Sequence, residues 1–131
     1  MPALYGTTEY LQLRDLIEEV RAAASLEPDV SGDLTVTGGD IIIATAGRGL
    51  KIKEGSNARM GRVQLAGATT TVATTAVSAA SEIFLTCQIP GGTPGFLRVS
   101  ARVASTSFTI TSSAGGSDTS TVGWMIVEPS A

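Results

Sequence analysis

The sequence contains no histidine and one cysteine, Cys87, among its 131 residues. Without histidine, a Ser-His-Asp triad, an imidazole general base and an imidazole metal ligand are all excluded. One cysteine cannot form an intrachain disulfide. Cys87 lies within an alternating apolar stretch and has no histidine to activate it, so we expect a buried structural thiol and not a nucleophile.

The acidic and glycine-rich stretches do not form a recognisable catalytic or metal site either. The acids read as solvated helix and turn residues, and no stretch has the spacing of a calcium-binding loop. The glycine-rich segments 47–49 and 90–95 are not followed by helices, which makes them turns and not phosphate loops. We therefore predict that the chain is not an enzyme and has no catalytic residues, no metal ligands and no cofactor. An ion on an oligomer axis is not excluded by the sequence.

Aromatic residues make up only 5% of the chain and charged residues only 16%. The low charge indicates either a surface of Thr/Ser-rich strands or a surface hidden in an assembly. Residues 1–40 carry a net charge of −6, residues 41–67 carry +4, and the whole chain carries −3. This asymmetry is compatible with an electrostatic contact with a partner or with a solvated face on each module. No aromatic residue is interleaved with the basic ones, which argues against nucleic acid as a partner.

The sequence also has no apolar run of 18 residues or more, so no membrane helix is predicted. Its first twenty residues include acids where a signal peptide would have its apolar stretch, and we expect the product to accumulate in a cytoplasm.

Residues 1–30 are predicted to contain a helix over 8–24, which Pro28 bars from continuing. Apolar residues recur along it at spacings of 3, 4, 3 and 4, as in a coiled-coil seam. Two heptads alone do not decide between a seam that bundles or anchors the chain and an amphipathic helix packed on its own domain. The predicted seam or anchor residues are Tyr10, Leu13, Ile17, Val20 and Ala24.

Residues 31–67 predict short strands at 33–37, 40–45, 50–53 and 62–65, separated by glycine turns. Such short strands cannot close a core in one chain, because isolated hairpins are marginal in water. Three chains wound around one axis could share an interior. We therefore predict a short intertwined β stalk.

Residues 68–131 predict an antiparallel β-sandwich, with strands at 82–89, 96–103, 107–111 and 121–127 and turn signals between them. Trp124 is expected in the core. The loops 90–95 and 114–118 are expected at one end of the sandwich. The candidate tip residues there are Thr93, Phe96, Ser117 and Asp118.

Five stretches of the chain carry a resemblance to a known family: residues 32–38 (GDLTVTG), 41–50 (IIIATAGRGL), 80–86 (ASEIFLT), 106–113 (TSFTITSS) and 118–124 (DTSTVGW). They resemble repeated segments of tailed-phage tail-fibre, head-fibre and capsid-decoration proteins. The resemblance implies a virion component, assembled in the host bacterial cytoplasm, that forms a homotrimer with an intertwined β region and a knob of small β-sandwiches around a threefold axis.

The fold predicted from these observations is a mainly β homotrimer with an N-terminal helix, a stalk and a sandwich knob. The short chain and its own helix favour a capsid-decorating head fibre or cement protein, whose N-terminal segment attaches it to the major capsid protein or another virion protein. The alternative is a tail-fibre or tailspike module whose sandwich loops bind a host surface glycan. A membrane partner is not expected.

Overall fold

Six strands form two three-stranded antiparallel sheets in the computed structural model, which describes residues 12–20 and 31–130. The first sheet has the order β1-β6-β3 and the second sheet the order β2-β5-β4. A short 3-10 helix, Gly115–Ser117, precedes the last strand. The strands are β1 Met60–Gln64, β2 Thr69–Ala73, β3 Glu82–Ile89, β4 Leu97–Val103, β5 Ser107–Ser112 and β6 Thr121–Val127.

The two sheets pack face to face through the inward side chains of their central strands, β5 and β6. Alternation is complete in both: every second residue of β5 and of β6 is buried. Phe108 of β5 meets Trp124 of β6 edge to face, with ring centroids 5.3 Å apart and planes at 72°, a favoured aromatic geometry. The mainly β fold, the sandwich and the core position of Trp124 are thus confirmed. The buried core residues are Leu65, Val72, Val77, Phe108, Ile110, Val122, Trp124 and Ile126.

A glycine makes room for the large indole of Trp124. Gly61 is paired directly with Trp124 across β1 and β6. A Cβ atom on Gly61 would lie 2.7 Å from Trp124 Cζ2, well inside contact distance. Because residue 61 has no side chain, the indole of Trp124 fits against β1 within the core.

β1 belongs to the sandwich, because its five residues pair with β6 from Met60↔Met125 to Gln64↔Thr121. The sequence pattern had assigned this strand to the stalk. The predicted strands at 33–37, 40–45 and 50–53 are absent, since residues 31–59 contain no strand in the described single chain. A strand needs a neighbouring backbone to satisfy its hydrogen bonds, and no strand within residues 12–20 and 31–130 pairs with these segments.

Residues 12–20 are helical. The seam residues Leu13, Ile17 and Val20 are about half exposed there, whereas Tyr10 and Ala24 lie outside the described residues. By its internal contacts the chain divides into two units, 1–46 and 47–131. The three predicted segments, 1–30, 31–67 and 68–131, stay predictions. Within the described ranges, no helix has the length and apolar character needed to span a membrane.

Candidate functional site

The two predicted tip loops come together in the structure. The Thr93 N–H donates to the Ser117 carbonyl oxygen at 2.8 Å, and Gly92 forms an isolated bridge with Asp118. Phe96 is held by Ser113, whose side-chain oxygen accepts from the Phe96 N–H at 2.8 Å. All four candidate tip residues therefore belong to one cluster of loops at the end of the sandwich where β6 begins.

Asp118 organises this cluster from inside, since it is only 1% exposed. One carboxylate oxygen accepts from Ser112 Oγ at 2.6 Å and from the Gly95 N–H at 2.9 Å, and the other accepts from the Ser120 N–H at 3.0 Å. These hydrogen bonds, from Ser112 first and then from Ser120 and Gly95, hold the pKa of Asp118 well below its usual range. A buried carboxylate occupied in this way positions the loops and is not open to a ligand.

Phe96 is the exposed aromatic residue of the tip loops, and its exposed fraction is 88%. Thr93 and Ser117 are also exposed. Ligand binding at this tip stays a prediction, with Phe96 as its one aromatic contact.

Glu128, just after β6, fixes the opposite end of the first sheet. Its carboxylate accepts hydrogen bonds from Ser81 Oγ and, at 2.7 Å, from Ser78 Oγ, and lies 3.5 Å from the Arg59 guanidinium. The Ser81 hydrogen bond, followed by that of Ser78, lowers the pKa of Glu128. Both strongly bound carboxylates thus serve the fold.

Cys87 is exposed, and the prediction of a buried thiol is wrong. It lies on β3, an edge strand of the first sheet. The alternation of β3 places Cys87 on the inward side, but burial fades along the strand and its last four residues are all exposed. An edge strand has a neighbour on one side only, so alternation alone does not ensure burial there.

A surface that the sequence pattern did not single out lies on the outward face of the first sheet. The strand register arranges its side chains in rows across β1, β6 and β3. The first row, called here the apolar row, is Met60, Met125 and Phe84, and the second is Arg62, Gly123 and Thr86. Phe84 is 58% exposed. Aromatic, polar and cationic groups therefore share one open face.

A hollow of about 230 Å³ lies on this face. We call it the Gly123 hollow, because Gly123 is the one outward-facing residue of β6 that has no side chain. Among the residues that the structure describes, Arg62 forms no ion pair; the pairs present are Arg14–Glu18 and Arg59–Glu128. The hollow is lined by Glu54, Met60, Gly61, Arg62, Phe84, Thr86, Gln88, Gly123, Trp124 and Met125.

A β-bulge in β3 brings Gln88 to this hollow. Thr86 pairs with Gly123 and Cys87 with Val122, but the next pair is Ile89 with Thr121, which leaves Gln88 as the extra residue. Its side chain lies over Gly123: a Cβ at position 123 would be 3.0 Å from Gln88 Nε2. Bulges commonly re-aim a side chain beside a functional site. The sequence signal for this surface was the glycine inside the otherwise apolar strand 121–127.

A family model described as "K1 capsule-specific polysaccharide lyase, C-terminal domain" matches residues 57–127. These 71 residues are more than half of the 131-residue chain and include all six strands. No curated protein and no solved structure matches.

This match contradicts one prediction, gives no support to a second and supports a third. The prediction that the chain is not an enzyme is contradicted, because the family is defined as a domain of a polysaccharide lyase. Capsid decoration receives no support. The domain is tailspike-like, which confirms the phage-fibre resemblance and the virion assignment in their broad form and favours the tail-fibre or tailspike alternative.

Proposed function

Because the chain belongs to the family of the K1 capsule-specific polysaccharide lyase C-terminal domain, we propose that it is a tailspike or tail-fibre module that binds a polysaccharide on the host surface. The observation that carries the proposal is the outward face of the first sheet. There an exposed aromatic ring, Phe84, adjoins the hydrogen-bonding side chains of Arg62 and Gln88.

Sugars present apolar C–H faces and a rim of hydroxyl groups, so a binding surface combines an apolar platform with a few polar groups that fix orientation. The apolar row supplies the platform. Arg62 supplies planar N–H donors, and Gln88 supplies both donor and acceptor atoms beside it. In a lyase, such a module keeps the polymer near the catalytic machinery and raises its effective concentration there.

The module works as a homotrimer in this proposal. The helix at 12–20 exposes Leu13, Ile17 and Val20, and residues 31–59 expose a run of isoleucines without strand partners. Three copies around one axis would bury both apolar surfaces. Three copies also bring three polysaccharide sites onto one particle, so that weak single contacts combine into tight attachment to a repeating polymer.

The expected solution mass of the full chain is therefore three times the 13.3 kDa of one copy. Sedimentation equilibrium at micromolar concentration measures it directly. The substitution Leu13→Asp introduces a charge into the predicted seam and is expected to lower the mass, whereas Asp15→Ala, at the heptad position opposite the predicted seam, is not. A monomer of the unsubstituted chain would contradict the trimer.

Binding to polysaccharide is expected on an array of purified bacterial capsular polysaccharides probed with the full chain. Retention of one or a few polymers, reversed by the same polymer added free in solution, is the predicted result. Boiled protein on the same array is the control for nonspecific adhesion. A folded protein that no capsular or other surface polysaccharide retains would show the proposed function to be wrong.

A further inference from the structure

We infer that the Gly123 hollow is a binding site for a single pyranose unit, which lies with its apolar face on Phe84 and Met125 and its hydroxyl groups against Arg62 and Gln88. This inference rests on the proposed function and adds the position of the site and the unit that it takes. Four observations on the same face carry it.

The first observation is that the backbone does not require glycine at position 123. β6 is the central strand of its sheet, where glycine weakens pairing and packing. Gly123 is not among the glycines with positive φ. The three atoms nearest to a Cβ there would be Nε2, Cγ and Cδ of Gln88, at 3.0 to 3.3 Å, and this flexible side chain can give way. A glycine that the backbone does not need, in the middle of a strand, is typical of a place where a ligand approaches closely.

The second observation is the bulge that places Gln88 over that glycine. Without the extra residue, the alternation of β3 would carry its side chains past the hollow in regular register. With it, the Gln88 side chain lies over Gly123, and because that side chain is flexible it can swing aside when a ring is seated on the glycine. An amide beside a hydroxyl-bearing ring can donate and accept at once, as pairs of neighbouring sugar hydroxyls require.

The third observation is the order of the rows. Neighbouring strands are about 4.8 Å apart and alternate residues of one strand about 7 Å apart. The apolar row and the Arg62–Gly123–Thr86 row therefore lie side by side at about the width of one sugar ring. A ring seated on Gly123 reaches Phe84 and Met125 on one side and Gln88 on the other.

The fourth observation is size. The hollow, at about 230 Å³, is smaller than the 300–1,000 Å³ of sites that enclose drug-sized ligands. One sugar ring fits in the hollow. The neighbouring units of the polymer lie outside the hollow, across the face of the sheet. Glu54 also lines the hollow, so the hollow holds one charge of each sign, and a neutral hydroxylated ring adds no further charge to it.

A second copy of the chain fits this face less well. The cores of protein interfaces are depleted of charged side chains. Here Arg62 lies in the second row of the face, and Glu54 lines the same hollow. The open hollow would also leave a void under a flat protein surface, and protein interiors tolerate few voids. The geometry favours a small polar ligand.

The test fills the hollow without harming the strand. Gly123→Val replaces a weak strand former with a strong one, and its side chain would occupy the centre of the hollow. We expect the variant to be at least as stable as the parent in chemical denaturation. We also expect it to bind the polysaccharide retained on the array roughly tenfold or more weakly. Phe84→Ala, on an exposed side chain, is expected to weaken binding similarly with little change in stability.

Thr109→Val is the matched control, because Thr109 lies at an outward position of the central strand of the opposite sheet. It should leave binding unchanged. If the parent binds polysaccharide and both Gly123→Val and Phe84→Ala bind equally well, the site lies elsewhere and the inference is wrong while the proposed function stands. A fall in solution mass of Phe84→Ala with unchanged affinity would also overturn it, by showing a contact between copies.

Discussion

Replacement of Asp118 by alanine is expected to loosen the whole loop cluster at one end of the sandwich and to destabilise the fold more than any substitution of an exposed acid. The Asp118 carboxylate accepts from Ser112 Oγ, the Gly95 N–H and the Ser120 N–H. Ser112 and Ser120 are themselves buried. The Ser112 hydroxyl and the Ser120 N–H would lose the carboxylate that accepts from them, in a place that water reaches poorly. A buried donor without an acceptor destabilises the folded state.

The same carboxylate predicts how stability depends on pH. Its hydrogen bonds hold the pKa of Asp118 well below the usual value, so in acid the unfolded chain takes up a proton before the folded chain does. The stabilisation is complete above the unfolded pKa of about 3.9. It is lost as the pH falls through that value towards the folded pKa. Glu128, whose pKa is also lowered, contributes in the same direction.

Chemical denaturation from pH 7 to pH 2 measures both effects. The parent should lose stability below about pH 4, and Asp118→Asn should be less stable at neutral pH with a shallower decline in acid. Glu82→Gln, at an exposed position of β3, is the control and should follow the parent. An Asp118→Asn variant as stable as the parent at pH 7 would show that the carboxylate does not hold the loops.

Phe108→Ala is expected to lower the free energy of unfolding by about 3–5 kcal/mol, the usual range for a buried aromatic residue. Phe108 is 0% exposed and lies between the sheets against Trp124. Its removal takes away both the apolar burial and the edge-to-face contact, and leaves a cavity that two hydrogen-bonded sheets cannot easily collapse into.

Phe96→Ala is the matched control, because it removes the same ring from a position that is 88% exposed. Its effect on unfolding should stay within about 0.5 kcal/mol, as for most surface substitutions. Urea titration of both variants measures the difference. Similar losses for the two would mean that the ring of Phe108 does not anchor the packing of one sheet on the other.

The longest strands were predictable because their information is local. In Glu82–Ile89 and Thr121–Val127 the period of two and the bounding turns were enough to give both ends as the structure has them. Trp124 was predicted in the core from the same alternation. The loops at 90–95 and 114–118 were also predicted to lie at one end of the sandwich. Successive turns between antiparallel strands alternate between the two ends, so every second turn lies at the same end.

The strands of the predicted stalk depend on partner chains, and a stalk shared by three chains stays a prediction. The segments 33–37, 40–45 and 50–53 have the alternation and glycine turns of strands, yet none pairs within the described chain. Strand formation depends on a neighbouring backbone, which a pattern in one segment cannot supply. The exposure of Cys87 has a similar cause, because an edge position is a property of the sheet order.

The amino-acid sequence by itself determined the β class, the bounds of β3 and β6, the core tryptophan and the absence of histidine chemistry, since each depends on composition or on neighbours a few residues apart. Only the tertiary structure decided that β1 joins the sandwich, that Asp118 is buried, and that Gly123 lies between Arg62 and Thr86 with Gln88 folded over it. The pairings of β1 and β3 with β6 join residues 32 to 65 positions apart in the chain, and register is set by packing across the whole sheet.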